Sequence, residues 1–399
     1  MRPPETSSGS GIIAALLKTL SDRVSKLFHP FFRAAPRFPL ADRLLADALR
    51  LCAIPSPAGR EEERAEFITE RLRSLLIPFF IDEAGNILVR AAAILDEDLS
   101  AEPLLVFTRM GSERWNPLES LGRVDMEYAR GAGLADVLGS AALLSLIEAY
   151  AGGRLVTGRD IIFFFSALSF DDPQSDAFKT INEEKKRPAA AVGVQGFSLG
   201  TLTSHSLGSY RAQIILSEDS QNENENTLVN TLLQLAEKVQ ETACDVSVYI
   251  NRIEALSSWG RTPREAELDM ELESDDKEKL DAVIEKIAAV TESFSPVKTR
   301  RKAGKITGTF KLLSSTPPGD PEVSAGLVQT LRVLMKELRI KAAEDARPDP
   351  SSFLSALGIP AISVGIAQGR EALNYDKVEI ASIEKGRMLL EKLLKLLGA

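Results

Sequence analysis

LLVFTRMGSERW, residues 104–115, decides the fold class. Leu104 to Phe107 is an unbroken apolar run followed by Thr108, with no alternation of polar and apolar positions. Such a run predicts a strand at 104–108 that is covered on both faces, as in a largely parallel sheet between helical layers. The chain then leaves the strand at Arg109 and enters a loop rich in Gly and polar residues. Runs of the same kind return as IIFFF at 161–165, AAAVGV at 189–194 and AISVG at 361–365. Helical patterns lie between them, at 42–53, 60–76, 135–150, 321–338 and 382–397. Helices alternating with buried strands specify an α/β architecture. IPFFIDEAGNILVRA, residues 77–91, reads as a hairpin turned at Gly85-Asn86.

Between about 206 and 312 the pattern changes. SYRAQIIL at 209–216 alternates, a helix is predicted at 225–242, and VSVYINRI at 246–253 follows. REAELDMELE at 264–273 puts Ala266, Leu268, Met270 and Leu272 on one face. Glu265, Glu267, Asp269, Glu271 and Glu273 take the other, a period of two. Ser274 then caps a predicted helix and a last strand falls within 303–313. The order β-α-β-β-α-β predicts a ferredoxin-like α+β domain over 206–312, inserted into a body of 42–205 plus 313–399.

Residues 1–41 form an N-terminal extension, whose first ten residues have a Pro, Ser and Gly-rich composition. An amphipathic helical stripe follows, running from Ile13 through Leu16, Leu20 and Val24 to Phe28. Lys18 interrupts its apolar run, which argues against a signal peptide. The helix offers a membrane or partner surface, although packing on its own body is the plainer reading. The extension carries six basic and two acidic residues, +4, so the net charge of −9 leaves −13 on the rest. An acidic body excludes nucleic acid as the main partner. The two cysteines, Cys52 and Cys244, lie in apolar contexts with no paired spacing and read as buried, inert thiols of a reducing, cytoplasmic protein. Only two histidines exist, His29 and His205.

Several phrases resemble the zinc-dependent exopeptidase and amidohydrolase family that includes tripeptidase T, glutamate carboxypeptidase and acetylornithine deacetylase. LRLCAIPSPAGREEERAEFITERL (49–72) looks like that family's first helix, Pro-Ser turn and second helix. DEAGNILVR (82–90) is similar to its Asp-x-x-Gly-Asn hairpin, and GAGLADVLGSAALLSLIEA (131–149) to its Gly-x-Gly-x-x-Asp segment. ALGIPAISVG (356–365) and VEIASIEKG (378–386) resemble its C-terminal half. The resemblance spans about residues 42–399. It implies a metallopeptidase fold, a homodimer formed through the inserted domain, and two zinc ions that lower the pKa of a bridging water.

The ligands that the resemblance implies are largely missing. The first falls on Arg109, whose guanidinium donates only. The Asp that would orient it falls on Gly111, and the bridging Asp aligns with Asp136. The general base and its neighbouring ligand fall on Ser169 and Phe170, the next ligand on Gln195 and the last on Ala372. The pair Glu183-Glu184 belongs to a solvated helix end, and His205 reads as structural. In the inserted domain, Gly260 and Glu273 stand where the resemblance implies an Asn and a carboxylate-holding Arg. Of the five ligand positions only Asp136 suits a metal, so no cofactor, and in particular no zinc, is expected. Two functional readings follow. One is a catalytically degenerate homologue that binds an unidentified small molecule or protein in the old cleft, or acts as a scaffold. The other is a hydrolase of peptide or N-acyl amino acid bonds with Mg²⁺, Mn²⁺ or Ca²⁺ on oxygen ligands, drawn from Asp136, Asp171, Asp172, Asp349 and Asp376. On the first reading, in the metal's absence, Arg109 is expected to pair with Asp136 or with an anionic ligand's carboxylate, the alternative being that it faces solvent.

Overall fold

The computed structural model describes residues 39–56, 60–93, 101–112, 121–167, 187–219, 227–255, 263–293, 305–372 and 374–399. The predicted N-terminal helix lies outside them. Eight helices are described: α1 Leu40–Ala53, α2 Glu62–Ser74, α3 Leu134–Ala151, α4 Thr227–Thr242, α5 Lys277–Ser293, α6 Pro321–Glu337, α7 Ser352–Ala356 and α8 Ile380–Leu397.

The main sheet holds β1 Phe80–Ile81, β2 Ile87–Ala91, β3 Leu104–Arg109, β6 Ile161–Ser166, β7 Ala190–Gln195 and β13 Ala361–Gly365, in the order β1-β2-β6-β3-β7-β13. The four strands from β6 to β13 are parallel, and the hairpin β1-β2 closes one edge antiparallel. The expected double coverage has a simple cause: alternate residues of each apolar run enter two different cores. Leu104 and Val106 join the large cluster with Phe163, Val192 and Ile362, packed on α1, α3, α6 and α8. Leu105 and Phe107 face the other way, with Ile162, Phe164, Ala191 and Leu354 of α7. Helix α3 is apolar and long enough to cross a membrane, but it is buried here as the central core helix.

A second sheet contains the β-α-β-β-α-β run. Four of its five strands are β8 Thr201–Asp219, β9 Ser247–Glu254, β10 Glu265–Ser274 and β11 Lys305–Thr316, antiparallel in the order β11-β8-β10-β9. Its apolar face is a core of its own, in which Ala266, Leu268, Met270 and Leu272 meet Leu232, Leu235, Leu280 and Ile287 of α4 and α5. The acidic face of β10 finds its counter-charge on the neighbouring strand. Arg252 binds Asp269 at 2.7 Å and also reaches Glu254 and Glu267.

Strand β8 is longer than its sequence suggests. It starts at Thr201, and its first residues pair in parallel with β12 Ala343–Pro348, a strand with no apolar pattern. Four short strands, β4 Arg123–Val124, β5 Tyr128–Gly131, β14 Gly369–Arg370 and β15 Asp376–Glu379, form a third sheet beside the site.

Helix α8 lies close on the segment after β13, because Gly386 leaves room for backbone. A Cβ there would stand 1.8 Å from the Ile366 carbonyl oxygen. Helix propensity alone would make Gly386→Ala stabilising by about 1 kcal/mol. Overpacking against a fixed backbone reverses the sign, and a loss of roughly 1–3 kcal/mol is expected in urea unfolding. A gain in stability would mean that α8 does not sit where described.

Candidate functional site

The parallel strands β3 and β7 end in Arg109 and Gln195, and their C-terminal edge is where open α/β sheets build ligand sites. A cleft of about 280 Å³ opens there, lined by Arg109, Asp136, Gln195, Ser198, Arg347 and Glu371 among others. Its apolar wall comes from Phe107, Val194, Phe197, Pro348 and Pro350.

Asp136 lies in the first turn of α3, where the N-terminal peptide dipoles favour a carboxylate. Both of its oxygens are engaged. Arg109 Nη2 donates to Oδ1 at 2.7 Å and Ser112 Oγ donates to Oδ2 at 2.7 Å. The Asp136 side chain is 13% exposed and that of Arg109 52%. An ion pair with one partner this exposed contributes about 0.2–1 kcal/mol. Its larger effect is to hold a permanent cation over the carboxylate.

A second cation lies behind the first. Arg64 of α2 is 1% exposed, its Nη1 donating to the Met110 carbonyl at 2.7 Å and its Nε to that of Ile54 at 3.1 Å. Burial lowers its pKa to about 10, opposed first by the charge of Asp136 and then by Cys52 and Glu61. Glu61 also explains Gly111: a Cβ at Gly111 would meet Glu61 Oε1 at 2.9 Å. An acidic group thus occupies that space, supplied from another part of the chain.

The other residues singled out in the sequence have different fates. Gln195 lines the cleft and accepts from Arg347 Nη2 at 3.3 Å. Ala372 is exposed and outside the lining, which Glu371 enters instead. Asp376 is buried on β15 and accepts from the Ala135 backbone N–H at 3.0 Å, so it caps α3. Asp349 is buried beneath the cleft, where its Oδ1 accepts from Ser351 N at 2.8 Å and Ser363 Oγ at 2.6 Å and shapes the turn into α7. Ser169, Phe170, Asp171, Asp172 and the pair Glu183-Glu184 lie outside the described residues.

Sequence reading missed Arg64, Ser112, Ser198 and Arg347. Arg64 had a signal, since it stands one turn before Ile68 and two before Leu72 on a buried helix face. For Arg347 there was none beyond a cation near Asp349.

A dinuclear metal centre fits these residues poorly. Among the described residues no three His, Cys, Asp or Glu side chains are grouped to hold an ion. Each oxygen of Asp136 already accepts one hydrogen bond, from a guanidinium and a hydroxyl, and a metal beside it would face the Arg109 charge directly.

No family model matches the chain, and no curated protein sequence matches it. Solved structures do match in fold. A tripeptidase from Staphylococcus aureus superposes with a TM-score of 0.64 at 16% identity, covering 90% of this chain and 98% of that one. This chain shares the fold of that tripeptidase. The aminopeptidase PepT of Bacillus cereus gives 0.63 at 13% identity, covering 90% and 99%. The YXEP protein of Bacillus subtilis, a dinuclear metal-binding peptidase of the M20 family, gives 0.59 at 14%, covering 90% and 98%.

Cys52, beside this site, donates to the Ala132 carbonyl at 2.8 Å, and burial pushes its pKa up to about 12. At pH 8 only about one such thiol in ten thousand is ionised. Cys244, in contrast to the expectation of a buried thiol, is exposed, so an aromatic disulfide reagent is expected to modify it alone in the native chain and Cys52 only after unfolding. Rapid modification of both would contradict the packing of α1 against the site.

Proposed function

We propose that this chain is a catalytically degenerate relative of the exopeptidases and amidohydrolases whose fold it shares, and that it acts by binding a ligand in the cleft. The observation that carries the reading is the Arg109–Asp136 ion pair at 2.7 Å. Metal-assisted hydrolysis needs an ion whose open coordination position activates water and polarises the scissile carbonyl. A guanidinium supplies positive charge but no such position, and it cannot release a proton near neutral pH. The charge that Asp136 requires is retained without the chemistry that a metal brings.

The oxygen-ligand alternative has less support. Asp376 is used as a helix cap through Oδ2 and Asp349 as a turn organiser through Oδ1, so one oxygen of each already has a structural task.

A screen of dipeptides, tripeptides and N-acyl amino acids, run separately with Zn²⁺, Mn²⁺ and Mg²⁺, is expected to give no turnover above a denatured control. Turnover abolished by a chelator would overturn the proposal. If that turnover required Mg²⁺ or Mn²⁺ and were lost in Asp136→Ala, the oxygen-ligated hydrolase would take its place.

A further inference from the structure

We infer that the groove between α2 and the β1-β2 hairpin is the docking site of this chain's own N-terminal amphipathic segment, residues 13–28. The groove is a surface apart from the cleft, and its occupant does not depend on what the cleft binds.

The groove measures about 510 Å³. One wall is a single ridge of α2, on which Glu62, Glu66, Thr69 and Arg73 follow one another at helical spacing with Ala65 beside them. The hairpin forms the other wall through Ile81 and Ala84, and Ala167, just beyond β6, closes the floor. Next to it the surface stays apolar: Leu76 and Phe80 are 61% and 55% exposed. Apolar surface gathered in one place marks an interaction site. Its polar rim is graded, with Glu62 and Glu66 toward one end and Arg73 at the other.

Residues 13–28 carry the complementary chemistry. Their stripe, from Ile13 to Phe28, is apolar, Arg23 borders it and Lys26 lies further round the helix. Given about 30 Å³ for a water, the groove takes roughly seventeen heavy atoms, which four aliphatic side chains of four carbons each would fill. Ile13, Leu16, Leu17 and Leu20 are such a set. The extension as a whole is +4 against −13 on the rest of the chain.

Charge also sets the direction. Arg23 and Lys26 meet Glu62 and Glu66 when the segment runs antiparallel to α2, which also sets the positive dipole end of each helix beside the negative end of the other. The tether permits this run. Arg43 in the first turn of α1 and Arg71 in the last turn of α2 both bind Glu148, so the chain enters the body near the Arg73 end of the groove. Eleven residues lie between Phe28 and Leu40. Extended, that stretch spans roughly 40 Å at about 3.3 Å per residue. The ridge from Glu62 to Arg73 is only about 16 Å long at 1.5 Å per residue. Docked there, the segment braces the helix from which Arg64 holds the Met110 carbonyl.

The test uses the full chain with the photoreactive substitution Ile81→benzoylphenylalanine, irradiated in dilute solution and mapped by peptide mass spectrometry. Cross-links from position 81 to residues 13–28 within the monomer are expected. Limited trypsin digestion of the unlabelled chain gives a second readout, because cleavage after Lys18, Arg23 and Lys26 tracks the undocked population. Glu62→Lys combined with Glu66→Lys turns two attractions into repulsions and should speed that cleavage about threefold or more. The equal reversal on α4, Glu237→Lys with Glu241→Lys, should leave it unchanged. All four glutamates are exposed, so both variants are expected to fold. Cross-links only to residues 168–186 or to a second copy, no cross-link, or cleavage that the α2 reversals leave unchanged would each overturn the inference. Turnover in the hydrolysis screen would remove the degenerate-enzyme reading and leave this one standing.

Discussion

The site depends on one contact, the bond between the Arg109 guanidinium and the Asp136 carboxylate. Asp136 stands at a helix N-terminus, in the first turn of a buried helix, where a carboxylate is stabilised but needs a counter-charge. Arg109, at the tip of the adjoining strand, supplies it from the solvent side, and the buried Arg64 adds its field from within. Two guanidiniums thus act on one carboxylate, Arg109 by direct contact and Arg64 through its field alone.

The framework is set by backbone more than by the side chains of the cleft. Strands β3 and β7 bring Arg109 and Gln195 to one edge because their apolar runs must be covered on both faces. Asp376, far along the chain, ties the third sheet to the start of α3 through the Ala135 N–H. Gln195 and Ser198 then fix Arg347, which arrives on a strand of the other sheet. A pocket built in this way presents an ordered set of donors.

The parts legible in the sequence were those with strong periodicity. Continuous apolar runs marked β3, β6, β7 and β13, and the alternation of β10 marked a half-covered sheet whose inner face is Ala266, Leu268, Met270 and Leu272. Arg109 and Asp136 were legible as a candidate pair from the resemblance alone. Strand β12 was not, because AEDARP is held by backbone pairing to β8 with most of its side chains exposed, which leaves no hydrophobic period to read. Arg347 was missed for the same reason. Glu61 filling the space over Gly111 could not be read either, since it depends on how α2 meets the loop after β3.

The most direct test of a guanidinium standing in a metal's place is the thermal midpoint of the purified, chelator-treated chain with and without saturating Zn²⁺. A ligand that binds only the native state stabilises it by RT ln(1 + [L]/Kd), about 2.7 kcal/mol at a hundredfold excess over Kd, which raises the midpoint by several degrees. No change is expected for this chain, and Arg109→His alone should restore little, because Asp136 would still be the one suitable ligand among the described residues beside it. A zinc-dependent rise of several degrees in the unmodified chain, lost in Asp136→Asn, would contradict the account.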